Sequence, residues 1–140
     1  MTDFYTFLCF SMRAVMKKID KHLSSQLEAY GVSIPQMFVL TCLYDENGIT
    51  LKEIGNRTLI DSSSMTVLVD KLEKDNLVER HLDAEDRRAI RVLITEKGQA
   101  IAEELVKIGT EFNAQLYDML GVGNQKEFTH GIKNILNGLE

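Results

Sequence analysis

What this sequence has little of narrows the reading first. Its 140 residues hold no tryptophan, one proline and two cysteines. One proline cannot make an extended proline-rich linker, and the glycines are scattered, so nothing divides the sequence into separate segments. Cys9 and Cys42 stand far apart without metal-type spacing, which argues against a zinc site and for a reduced pair. His22, His81 and His130 share neither a helix face nor a short spacing, so no metal is expected. The six methionines fall mostly on apolar stripes and form no cofactor box. No apolar run reaches the ~18 residues of a membrane helix, and no basic-then-apolar leader opens the chain. No membrane partner is expected, and the expected location is the cytoplasm. There is no nucleophile–base pair, phosphate-cradling loop or pair of carboxylates in a plausible cleft. The sequence therefore predicts neither an enzyme nor a cofactor.

An excess of positive charge is also missing. Net charge is −5, opposite to what a nucleic-acid binder usually shows. Segment by segment, residues 50–97 carry nine Lys/Arg against ten Asp/Glu, and residues 98–140 carry three against six. The centre is close to neutral and the acid lies in the tail. Any binding of a polyanion must come from where single cations stand, not from a basic surface.

What is present is a sustained order of elements. Phe4–Tyr30 reads as a long helix with its stripe at Phe4, Leu8, Met12, Val15, Ile19, Leu23 and Leu27, stopped by Gly31. Ser33 and Gln36 form a capping box with Pro35 in the first turn. The helix they open has almost no polar face, so it is expected at the buried centre of the domain. Thr50 and Glu53 form a second box and open a short helix to Arg57, with Leu51, Ile54 and Leu59 predicted to face inward. Asp61 is the expected N-cap of a helix from Ser62 to Asp75, its carboxylate accepting from the N–H groups of Ser63 and Ser64. Met65, Leu68, Val69 and Leu72 would face in, and Asn76 suits the left-handed position that follows. A hairpin over Leu77–Thr95 is signalled by the alternation of Ile90, Val92 and Ile94 with Ala89, Arg91 and Leu93. Its loop is Asp83-Ala84-Glu85-Asp86-Arg87-Arg88. A long helix then runs to about Leu120, and after Gly121-Val122-Gly123 a last one carries Phe128, Ile132, Ile135, Leu136 and Leu139.

Helix, turn, helix and hairpin in that order make a winged helix-turn-helix. The predicted fold is mostly α with a small β-hairpin wing. It reads as one domain over 1–140, with the winged unit at 33–97 and dimerisation helices at 1–31 and 98–140. The dimer follows from length: a helix of ~25 residues spans roughly 37 Å, more than a winged helix of this size covers. The surplus apolar stripe needs another chain, and a symmetric homodimer supplies one.

The runs Asp61-Ser62-Ser63-Ser64, Leu72 through Arg80, Asp83 through Arg88, and Leu93-Ile94-Thr95-Glu96-Lys97-Gly98 resemble the multiple antibiotic resistance regulator (MarR) family. The resemblance covers essentially the whole chain. Asp86 and Arg88 in the wing and Thr95-Glu96-Lys97-Gly98 are its most specific parts. Asn76 stands where glycine is usual, and Val67 where arginine or another polar residue is common. The resemblance implies a dimeric transcription factor, usually a repressor, that leaves its pseudo-palindromic operator in double-stranded DNA when a small molecule or an oxidant acts on it.

On that reading the helix beginning at Ser62 enters the major groove by its N-terminal end. Ser62, Ser63, Ser64 and Thr66 offer short polar groups to base edges or phosphates, and Val67 an apolar contact for a thymine methyl. Arg87 and Arg88 lie at the wing tip, one reaching the minor groove and the other, Arg88, braced by Asp86. Arg57, Lys71 and Arg91 are candidate phosphate contacts, while Arg80 is a candidate for an internal ion pair. The surrounding Phe7-Leu8-Cys9-Phe10 resembles the context of the peroxide-sensing cysteine in the organic hydroperoxide resistance branch. Arg13 and Leu23 depart from the tyrosines expected there, and burial of Cys9 as a small hydrophobe is the competing expectation. A third reading, a winged helix that binds protein, draws on the acidic balance and is opposed by the Arg87-Arg88 tip.

Overall fold

Gln36 is the most telling residue of the fold's centre, because it is polar and almost wholly buried. It survives there by closing a capping box: its Oε1 accepts the Ser33 N–H at 2.9 Å, and its own N–H donates to Ser33 Oγ at 3.3 Å. The helix it starts, α2 (Ile34–Asp45), buries Met37, Val39, Leu40 and Leu43. The computed structural model describes all residues from Met1 to Glu140. They form two compact units, Met1–Val106 and Lys107–Glu140.

In the first unit α1 (Leu8–Leu27) precedes α2, then come α3 (Leu51–Thr58), α4 (Ser62–Lys74), β1 (Val78–Leu82) and β2 (Ile90–Ile94). The strands pair antiparallel with His81 opposite Arg91 and Leu82 opposite Ile90. Thr50 adds a short third rung beside Arg91. The core is made by Leu27, Leu40, Leu43, Ile54, Met65, Val69, Leu72, Val78 and Val92, with Leu105 from α5 (Glu96–Leu120). Burying such side chains contributes about 1.5–3 kcal/mol each before the entropy of ordering is set against it. In the second unit α5 continues to Leu120, Gly121 takes φ 84°, and α6 (Gln125–Gly138) follows. No helix is long and apolar enough to cross a membrane.

Both capping boxes, Gly31 and Asn76 in the left-handed region, and the outward face of α4 match expectation. Four details do not. The first helix starts later: Asp3 caps a separate 3-10 turn, Phe4–Thr6, by accepting the Tyr5 N–H, and Phe7 is extended before α1 begins. A local side-chain cap has outcompeted propagation of the helix. Leu59 points out, not in, and is 90% exposed. It ends α3 with φ 59°, and that backbone turn swings the side chain away from the core at a cost of about 1–2 kcal/mol for a residue with a Cβ. Phe38 and Tyr44 leave α2 partly exposed, so the helix is central but not enclosed. Finally Cys9 is exposed, against the competing expectation of its burial, and Cys42 on the central helix α2 is only half-buried.

The Thr-Glu-Lys-Gly run has a local cause. Thr95 Oγ1 donates to the Asn76 carbonyl at 2.7 Å and accepts the Gly98 N–H at 3.0 Å. Lys97 Nζ donates to the Asp75 carbonyl at 3.2 Å. The start of α5 is thereby tied to the end of α4. A β-carbon on Gly98 would collide with the Leu77 carbonyl oxygen and sit 2.8 Å from Ile94 Cγ1, so only glycine permits the approach.

Candidate nucleic-acid interface

The leading turn of α4 is exposed, and Asp61 organises it. Its carboxylate accepts the Ser64 N–H at 2.8 Å, the Ser63 hydroxyl at 2.7 Å and the Ser64 hydroxyl at 3.0 Å. The backbone donor is Ser64 alone; Ser63 contributes its hydroxyl, not the N–H expected from sequence. These bonds, the Ser64 N–H first, hold the Asp61 carboxyl at about 2, so it is ionised at neutral pH. An ionised carboxylate only accepts. The hydroxyl hydrogens of Ser63 and Ser64 therefore point inward and their lone pairs face solvent. Thr66 Oγ1 likewise donates to the Ser62 carbonyl at 3.1 Å. Of the four hydroxyls on this turn, Ser62 alone has no bond that fixes its hydrogen. Val67 and Lys71 follow on the same outward face, Val67 being 67% exposed.

The wing loop is built on two acidic side chains. Asp83 Oδ1 accepts the Glu85 N–H at 3.0 Å, and Asp86 Oδ1 accepts the Arg88 N–H at 2.9 Å. Asp86 thus braces Arg88 through its backbone N–H. Arg87 and Arg88 are exposed at the tip and neither is ion-paired. Three of the other four arginines are engaged within the chain. Arg57 pairs with Glu46 at 2.5 Å, Arg91 pairs with Asp83 at 3.0 Å, and Arg80 pairs with Asp70. The Arg80 backbone N–H also donates to Glu73 Oε2 at 2.9 Å, so Arg80 fastens α4 to β1, the internal role considered for it.

One open cleft of about 1130 Å³ brings several of these groups together. Ser62 and Thr66 form one wall, Arg88 and Asp86 of the wing another, and Lys52 and Asn56 of α3 the third. Lys71, Val67 and Arg87 stand outside it, as do Arg57 and Arg91. Lys52 and Asn56 were absent from the sequence-based set. They lie four apart on the face of α3 opposite Ile54, so helical periodicity could have supplied them. Burial raises the Cys42 thiol, with Arg57 working against it. Cys9, in the first turn of α1, precedes Phe10, whose ring packs on those of Phe4 and Tyr5. No group of three or more His, Cys, Asp or Glu converges as a metal site would require.

Comparison with known proteins identifies the family and the fold. The MarR family profile matches residues 32–90. The HTH-type transcriptional regulator SarZ of Staphylococcus aureus is 34% identical over 110 residues, covering 76% of this chain and 74% of that protein. Among solved structures, the S. aureus MepR–DNA complex superposes with a TM-score of 0.90 at 20% identity, over 96% of this chain and 99% of that one. Reduced AbfR bound to DNA superposes with a TM-score of 0.79 at 25% identity, over 94% and 91%.

Proposed function

This chain belongs to the MarR family of DNA-binding transcriptional regulators, and from that premise we propose a repressor that binds a pseudo-palindromic operator as a homodimer and is released by a small molecule. The observation that carries the DNA-binding part is the cleft lined together by Ser62 and Thr66 of α4, Arg88 of the wing and Lys52 of α3. An exposed helix start beside unpaired arginines on a hairpin is the arrangement that lets a helix lie in the major groove and a wing follow the backbone. It also bears on the acidic composition, because Asp61, Asp83 and Asp86 beside the interface are engaged by serines, Arg91 and backbone amides. The dimer is supported by apolar side chains left exposed on each unit: Leu8, Met12, Val15 and Met16 on α1, and Phe128, Leu136 and Leu139 in the second unit. A regulator of this kind works in the cytoplasm, where its DNA is.

The test is fluorescence anisotropy on DNA from upstream of the protein's own gene, against a scrambled duplex, over a salt series. The expected preference is ~10³-fold or more with a steep salt dependence. Replacing Arg87 and Arg88 together by Ala should abolish specific binding. Equal weak binding to both duplexes and to random pools, unchanged by that double substitution, would instead support a protein-binding winged helix.

A second reading is favoured by the exposure of Cys9. On this reading release follows oxidation: the thiolate attacks a hydroperoxide, an S–O bond forms as the O–O bond breaks, and the alcohol leaves. Cys9→Ser should then retain DNA binding and lose release by organic peroxide. Equal release of both proteins would eliminate the thiol.

A further inference from the structure

Arg91 stands on an exposed strand position, where a phosphate contact is the natural expectation, yet three of its N–H groups are taken up inside the chain. Nε donates to Asp83 Oδ2 at 3.0 Å, Nη2 lies 3.0 Å from the same oxygen, and Nη1 donates to the Gly48 carbonyl at 2.7 Å. Asp83 is the first residue of the wing loop, and its side chain is only 14% exposed. Its other oxygen holds the Glu85 N–H, while its own N–H donates to the Ala89 carbonyl at 3.0 Å. Gly48 belongs to the α2–α3 turn, and that turn is fastened to β2 by Gly48 N–H to the Val92 carbonyl at 3.1 Å and Val92 N–H to the Ile49 carbonyl at 3.0 Å. Asn47 Oδ1 accepts the Ile94 N–H at 2.9 Å. One guanidinium thus joins the base of the wing loop to the turn that begins the helix-turn-helix. The Glu85 amide and then the Arg91 charge keep the Asp83 carboxyl below its ordinary range.

We propose that Arg91 and Asp83 are positioning residues: together they fix the angle of the wing, and through it the reach of Arg87 and Arg88 to DNA, without either being a required contact to the nucleic acid. The inference rests on the DNA-binding reading and deepens it. Its physical basis is leverage. The loop from Asp83 to Ala89 has few bonds of its own besides those to Asp83 and Asp86, so a loosened base displaces the tip. Arg–carboxylate geometry is planar and directional, which makes it suited to holding an angle.

The test uses the full chain and the duplex that the wild-type protein selects from a randomised pool. Asp83→Asn, Arg91→Gln and the double variant are compared by anisotropy, with thermal unfolding to verify that each is folded. Neutralising an acid beside a polyanion should tighten binding if charge alone mattered. The positioning role predicts the opposite sign: Asp83→Asn weakens binding about tenfold or more by forfeiting tip contacts, Arg91→Gln does the same, and the double variant is no worse than either. Amide hydrogen exchange from Glu85 to Ala89 should quicken in all three. The inference is overturned if Asp83→Asn binds as well as or better than wild type while Arg91→Gln alone loses affinity and about one unit of salt slope, since Arg91 is then itself the phosphate contact. If the wild-type protein selects no sequence, the DNA-binding reading falls and the inference with it. If one is selected, only the variants decide.

Discussion

At Asp61 one carboxylate accepts a backbone N–H and two hydroxyls, and this decides what the leading turn of α4 can offer a base. With their hydrogens turned inward, Ser63 and Ser64 present acceptors. They suit the exocyclic amino groups of adenine or cytosine better than a phosphate or the acceptor edge of guanine. Asp61→Asn keeps a cap but brings an amide whose NH₂ can donate, freeing a serine hydrogen to turn outward. Selection from a random pool with this variant should shift preference at one or two positions toward guanine or thymine and leave the rest of the operator alone. The same substitution has a stability signature. The Asp61 carboxyl is depressed to about 2 from an unfolded value of ~3.9, so its contribution is complete above the unfolded value and is lost as pH falls toward 2. Acid unfolding of the Asn variant should therefore be shallower across that window. Gly98 makes a second residue-level prediction. Gly98→Ala should lower stability by about 1–3 kcal/mol in chemical denaturation, because the start of α5 must retreat from the Leu77 carbonyl.

Between elements, the structure uses three of its six arginines as fasteners. Arg57 joins α3 to Glu46 at the end of α2, with both side chains substantially exposed. Exposed pairs add little to stability, but this one occupies a cation that could otherwise serve a phosphate. Glu46→Gln should leave the unfolding midpoint nearly unchanged and tighten DNA binding a few-fold, with a steeper salt dependence. A fall in affinity would mean that Glu46 holds Arg57 where it is needed. The Arg80–Asp70 pair and the Glu73 bond to the Arg80 amide fasten β1 to α4 in the same manner. The helix from Ser62 is therefore tied to the wing through β1, while Arg91 ties the wing-loop base to the α2–α3 turn.

For the whole molecule the acidic balance and the uncovered apolar side chains belong together. A chain at −5 gains little from non-specific attraction to DNA. On the proposed homodimer its affinity comes from two sites engaged at once, where the second binding event has a high effective concentration. Leu8→Glu with Val15→Glu, both on the exposed part of α1, should shift the protein from dimer to monomer in sedimentation. Operator affinity should fall with it, while the far-ultraviolet spectrum stays native. A monomeric wild-type protein with unchanged affinity in the variant would remove the dimer from the mechanism.

The elements themselves were written locally. Ser33 with Gln36, Thr50 with Glu53, Asp61, Gly31 and Asn76 act within a few residues of where they stand, so their spacing sufficed to place helix ends, the hairpin and the outward face of α4. Sequence also put Arg87 and Arg88 at the wing tip, because a loop between two alternating strands has nowhere else to present them. Tertiary structure decided which charges are free. Glu46 and Arg57 are eleven positions apart and Gly48 and Arg91 forty-three; no periodicity links them, and only the packing of α2, α3 and the hairpin brings them into contact. It likewise turned Leu59 outward, joined Lys52 to Ser62 and Arg88 in one cleft, and left Cys9 at the surface. A side chain's partners depend on the direction in which its whole element is packed, and a one-dimensional pattern does not carry that direction.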